Sequence, residues 1–121
     1  MASLKESMDK LSTLDGYVGA CVVDSNSGMM LGSNGGGNSI DLEVAAAGNT
    51  EVVRAKRKTM KSLNLADDIE DILITLGKQY HLIRPLAARE GLFIYLVLDK
   101  GRSNLALGRH CLADVEKNMV L

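Results

Sequence analysis

Two thiols, two imidazoles, a glycine-rich segment and a run of cations are the features of this chain that could do chemistry. Cys21 and Cys111 lie 90 positions apart, and His81 and His110 supply no close Cys/His pair, so neither a zinc site nor a disulfide framework follows. Cys111 follows His110 directly, which suggests a thiol beside a base. Neighbours on a helix project about 100° apart, however, so Cys111 edges the apolar stripe while His110 points elsewhere. Both cysteines are therefore expected to be buried and inert. His81, between Tyr80 and Leu82, reads as a structural side chain, bonded to a carboxylate or facing solvent.

The segment Gly32-Ser-Asn-Gly-Gly-Gly-Asn-Ser39 precedes a helix, where phosphate cradles occur. It lacks the Gly-Lys-Ser/Thr ending of a phosphate loop and the dinucleotide spacing. Asp41 and Glu43 already place negative charge at that helix start, which disfavours an anion. A flexible loop is the first reading, and a ligand site lining a cleft is the alternative. Arg54, Lys56, Arg57, Lys58 and Lys61 cluster at the end of the same helix and are followed by Asp67, Asp68, Glu70 and Asp71. Cations suit a helix C-terminus, so this reads first as a solvated, self-complementary end. Docking of an acidic partner on Arg54, Arg57, Lys58 and Lys61 is the second reading. No residues combine a nucleophile, an oriented base and an oxyanion site. No enzymatic activity, cofactor or metal is expected.

Composition narrows the classes further. The chain has 121 residues, 46% hydrophobic and 24% charged, the range of a globular protein rather than a disordered one. That length fits a single domain spanning 1–121. Net charge −1 gives no electrostatic argument for nucleic acid or an anionic membrane. Tyr17, Tyr80, Phe93 and Tyr95 are the only aromatics and there is no Trp, so a base-stacking platform is excluded and the core must be aliphatic. The start, MASLKESMDK, has no apolar run of a signal peptide, and Leu92 to Leu98 is too short to span a bilayer. A cytoplasmic protein with free thiols and no membrane insertion is expected.

The elements follow from periodicity. Ser3 and Glu6 form a capping box, and Leu4, Met8, Leu11 and Leu14 make one stripe, predicting a helix from Ser3 to Leu14 capped by Gly16. Tyr17 to Val23 and Met29 to Ser33 read as a hairpin around Asp24-Ser-Asn-Ser-Gly28, with Gly19 marking a close approach. Asn34 to Asn38 reads as too flexible for regular structure. A long helix capped by Asn38 or Ser39 then runs to about Leu63. One side of it carries Leu42, Ala45, Ala46, Val52, Val53 and Met60, with Asn49 and Lys56 along the middle. A neighbouring strip is small: Val44, Gly48, Ala55 and Thr59, bordered by Val52. A mid-helix glycine costs about 1 kcal/mol, so Gly48 calls for a packing reason. One side is expected to meet a sheet and the other a second helix.

Ile69 to Leu76 and Gln79 to Arg84 read as a second hairpin ended by Pro85, and Leu92 to Leu98 as a central strand covered on both faces. Leu105, Gly108, Leu112, Val115 and Met119 give a closing helix. The expected fold is α+β, in the order α-β-β-α-β-β-β-α, with five mostly antiparallel strands and helices on both faces. Ile72, Leu73, Ile74 and Leu76 are apolar on both faces, so at a sheet edge they form a pairing template. Pairing with a second copy across a two-fold axis satisfies it. The expected homodimer surface is Val44, Gly48, Asn49, Val52, Ala55, Thr59, Ile72, Leu73, Ile74 and Thr75, with Asn49 facing its twin as a register device.

The order and spacing of several stretches resemble the roadblock/LC7 family over nearly the whole chain. They are Leu14-Asp-Gly-Tyr-Val-Gly-Ala-Cys-Val-Val-Asp24 with Ser27-Gly28, Ile69-Glu-Asp-Ile-Leu-Ile-Thr-Leu76, His81-Leu-Ile-Arg-Pro85, Leu92 to Leu98, and Asn104-Leu-Ala-Leu107. The chain is most similar to small bacterial members without appended motifs. The resemblance implies a profilin-like sandwich with sheet order 2-1-5-4-3 and homodimers joined through the third strand and the long helix. It also implies a non-catalytic role, as a regulator or scaffold of a small Ras-like GTPase or a subunit of a motor or signalling complex. A small-ligand sensory module and a purely structural adapter are the alternatives.

Overall fold

The computed structural model describes residues 1–121. Helix α1 (Leu4–Leu11) begins as expected: the Ser3 hydroxyl accepts from the Glu6 N–H, and the Glu6 carboxylate accepts from the Ser3 N–H. It ends at Leu11 rather than Leu14, because the Ser12 and Thr13 hydroxyls donate back to the Asp9 and Lys10 carbonyls at 2.6 and 2.7 Å. Gly16 is therefore not the cap of α1. Its φ of +76° serves the entry to the first strand, where its carbonyl accepts from the Asp99 N–H at 2.7 Å.

Strands β1 (Tyr17–Asp24), β2 (Met29–Gly35), β3 (Ile72–Thr75), β4 (Gln79–Pro85) and β5 (Leu92–Asp99) form one antiparallel sheet in the order β2-β1-β5-β4-β3. Helix α3 (Leu105–Asn118), started by Asn104, lies with α1 on one face. There Met8, Leu11, Leu112 and Val115 pack on Ala20, Val22, Leu82, Ile94, Leu96 and Leu98. Helix α2 (Leu42–Ser62) covers the other face, with Leu42, Ala46 and Val53 against Cys21, Val23, Ile83, Phe93, Tyr95 and Val97. Strand β5 is buried from Leu92 through Leu98, as a strand covered on both faces must be.

The glycine segment departs from expectation. Strand β2 continues through Asn34 and Gly35, paired with Ala20 and Gly19, and the turn that follows begins at the buried Gly36 and then runs exposed through Ser39. Gly35, Gly36 and Gly37 all have positive φ, and the Gly36 N–H donates to the Val18 carbonyl at 2.8 Å. A Cβ on Gly19 would stand 2.8 Å from the Gly36 nitrogen, so the close approach expected of Gly19 is to backbone. The cap of α2 is Asp41, whose carboxylate accepts from the Glu43 and Val44 N–H groups, and not Asn38 or Ser39. Strand β3 begins at Ile72 rather than Ile69 and stops before Leu76. Asp71, just ahead of it, is held by Arg109 of α3 through contacts of 3.0 and 3.2 Å.

Gly19→Ala should lower unfolding free energy by about 1–3 kcal/mol, since backbone rather than a flexible side chain would have to move. Urea denaturation measures this, and wild-type stability in the variant would contradict the close approach.

Candidate functional site

Strand β3 pairs with β4 through Ile72↔Ile83, Leu73↔Leu82, Ile74↔His81 and Thr75↔Tyr80, and no strand lies on its other side. Its outer backbone groups are therefore unpaired within the chain. Ile72 packs on the core under α2, Leu73 on the core under α1 and α3, and all three of Ile72, Leu73 and Ile74 stay only half-buried. Neither charge nor proline interrupts the strand, so the usual devices that blunt an edge are absent from β3 itself. Its shortness is the exception.

Helix α2 presents two different sides. Leu42, Ala46, Thr50 and Val53 are buried, and the Thr50 hydroxyl is satisfied by donating to the Ala46 carbonyl at 2.7 Å. The small strip faces away from the sheet: Val44, Gly48, Ala55 and Thr59 are all exposed, Val44 by 67%. A Cβ on Gly48 would meet nothing within 4 Å, so no packing reason for this glycine exists inside one chain. Half-buried Val52 of α2 and Ile72 of β3 each pack on the core cluster under α2. Asn49 is also half-buried and stands beside the Tyr95 hydroxyl.

Tyr95 belongs to a polar line that the sequence reading missed. Its hydroxyl lies 2.9 Å from His81 Nδ1, and His81 Nε2 lies 2.8 Å from Gln79 Oε1. A carboxamide oxygen only accepts, so Nε2 carries the proton and Nδ1 accepts from Tyr95. The rings meet edge to face, 5.5 Å apart. Burial lowers the His81 pKa, which favours the neutral ring, and burial pushes the Tyr95 phenol up to about 12. His81 thus has a structural role, with a tyrosine in place of the expected carboxylate. Gln79 and His81 alternate on one face of β4, the one signal that could have paired them.

The other candidate residues separate. Burial pushes the Cys21 thiol up to about 12. Cys111 is half-buried, its pKa also raised by burial despite Lys10, and His110 is exposed beside it. Arg54 donates to the Ser25 and Asn26 carbonyls at 2.6 and 3.0 Å, tying α2 to the β1–β2 turn. Arg57 and Lys61 line an open cleft with Met60, Ile69 and Glu70, beside the half-buried Arg84–Glu116 pair. The chain has five ion pairs, and none uses Arg57, Lys58, Lys61, Asp67, Asp68 or Glu70. The basic and acidic runs are solvated but do not neutralise each other directly.

No family model matches the chain, and no curated protein does. Solved structures match closely in shape. Myxococcus xanthus MglB superposes with a TM-score of 0.82 at 18% identity, covering 94% of this chain and 89% of that one. A roadblock/LC7 domain from Streptomyces avermitilis gives 0.79 at 14% identity, covering 96% and 93%. The gliding protein MglB of Thermus thermophilus gives 0.71 at 15% identity, covering 94% and 88%. The fold is that of the roadblock/LC7 domains, with the strand order the resemblance implied.

Gly48→Ala discriminates between a solvent-facing and a packed helix strip. In an isolated chain the added methyl meets open space, so helix propensity should raise stability by about 0.5–1 kcal/mol. If the strip packs against a second helix, the same methyl should weaken self-association. Thermal unfolding at nanomolar concentration and sedimentation at micromolar concentration read the two effects separately.

Proposed function

We propose that this chain acts as a non-catalytic homodimer that regulates or scaffolds a small Ras-like GTPase. The observation that carries the homodimer is the presence, on one chain, of both an open apolar strand edge and an exposed small-residue helix face. Both features are costly or pointless in a lone chain. Unpaired edges invite aggregation, and a helix glycine with open space around it weakens the helix. A two-fold axis beside β3 would pair Ile72–Thr75 with its mate and bring Val44, Gly48, Ala55 and Thr59 against the same strip of the partner. That arrangement gives each feature a purpose at once.

The GTPase rests on different support. The fold is shared with MglB and roadblock/LC7 domains, and the roadblock/LC7 resemblance of the sequence implies GTPase regulation. Arg57, Lys58 and Lys61 are exposed and free of ion pairs, next to the small strip, where they could meet an acidic partner surface. Arg54 is less suited, being committed to the β1–β2 turn. No arginine finger is assigned to any of them. The sensory-module alternative drew on the sandwich shape and on the glycine segment, whose Gly35 and Gly36 are held against the β1 backbone while Gly32, Ser33 and Asn34 line a shallow cleft with α1.

Ile74→Asp is the direct test. It should weaken self-association at least tenfold in sedimentation velocity at micromolar concentration, with an unchanged far-ultraviolet circular dichroism spectrum. A wild-type chain that stays monomeric there would sink the homodimer. Affinity purification from the native cell should recover a small GTPase whose yield differs between GDP and a non-hydrolysable GTP analogue. A constant stoichiometric partner indifferent to nucleotide would instead identify a structural adapter.

A further inference from the structure

The proposed assembly surface has a titratable group set into it. His81 sits directly across from Ile74 of the edge strand, on the sheet face that α2 covers, and it is half-buried before any partner arrives. Both its ring nitrogens are already committed, Nδ1 to the Tyr95 hydroxyl at 2.9 Å and Nε2 to Gln79 at 2.8 Å. That arrangement suits one protonation state, the neutral ring with its proton on Nε2. A second proton on Nδ1 would turn two donors toward each other unless the phenol rotated away. It would also place a cation directly across from Ile74, where a second chain would shut out water.

We propose, on the homodimer reading above, that the His81–Tyr95 pair makes this surface proton-sensitive: the neutral imidazole permits self-association and its protonation releases it. The other ionisable groups on this face are Tyr95 and Asp99 of β5, Cys21 of β1 and Lys56 of α2, while β3 contributes none. Lys56 follows Asn49 along the same helix flank but is exposed, and burial alone is what disfavours a charged imidazole. The sign follows from linkage. Burial already holds the His81 pKa below its ordinary 6.5 in the lone chain, and covering by a second copy would lower it further, so association is complete above that lowered range and weakens as pH falls through it. A symmetric dimer contains the group twice, which steepens the response.

Sedimentation velocity of the full chain between pH 7.5 and pH 5.5, at constant ionic strength, tests this. The wild-type dimer should hold its affinity near pH 7.5 and weaken severalfold toward the acid end of the range. His81→Asn, which keeps an acceptor for the Tyr95 hydroxyl, should dimerise with little pH dependence. Tyr95→Phe, which leaves Nδ1 free to take a proton, should release at higher pH than wild type. In nitrogen NMR spectra at pH 7.5, His81 should carry its proton on Nε2 and not on Nδ1. Equal acid weakening in wild type and His81→Asn, or a wild-type dimer indifferent to pH, would overturn the inference while leaving the homodimer standing. A monomeric wild type at pH 7.5 would overturn both.

Discussion

Strand β3 leaves one row of backbone donors and acceptors without partners, and the rest of the surface is organised around that fact. In water the row stays hydrated at little cost. Out of water each orphaned group costs about 1–3 kcal/mol, so whatever covers the apolar side chains beside the row must also pair it. Only another strand does so completely. On the proposed homodimer, half-buried Ile72, Leu73 and Ile74 would form one half of an interface that backbone pairing completes.

The fold places this edge by distributing its apolar residues unevenly. Strand β5 takes the centre because every residue from Leu92 to Leu98 is apolar or aromatic and is buried on both faces. Strands β1 and β4 flank it, and α1 with α3 seals one side. On the other side α2 lies over β1 and β2, with side chains reaching the β5 core, and Thr50 leans toward Gly28 of the β1–β2 turn. Its Arg54 ties it to the same turn. The helix is thereby anchored toward β2, which leaves the β3 side of that face partly open. Anchoring at one flank and openness at the other are two results of one placement.

Most of the architecture was legible in the sequence because it rests on period and on local chemistry. The Ser3–Glu6 capping box, the unbroken apolar run of β5 and the two-sided pattern of Ile72 to Ile74 each announce their place without knowledge of the tertiary structure. Boundaries were less legible where side chains compete for backbone groups. Ser12 and Thr13 close α1 early, Asp41 outcompetes Asn38 and Ser39 as a cap, and Arg109 holds Asp71 at the threshold of β3. The glycine segment was misread for a different reason. Consecutive glycines suggest freedom, yet here their positive φ angles let the chain press onto the β1 backbone at Gly19. The polar line through Gln79, His81 and Tyr95 was the least legible feature, since it joins two strands and only the register brings them together.

The central claim is that the outer edge of β3 is completed by a second copy of this chain. Amide hydrogen exchange of residues Ile72–Thr75, followed from nanomolar to high micromolar protein, tests it most directly. Protection that rises with concentration at these residues and along α2 from Val44 to Thr59, while the β5 amides stay constant, is the predicted result. Rapid exchange at the outer β3 amides at every concentration would contradict the account.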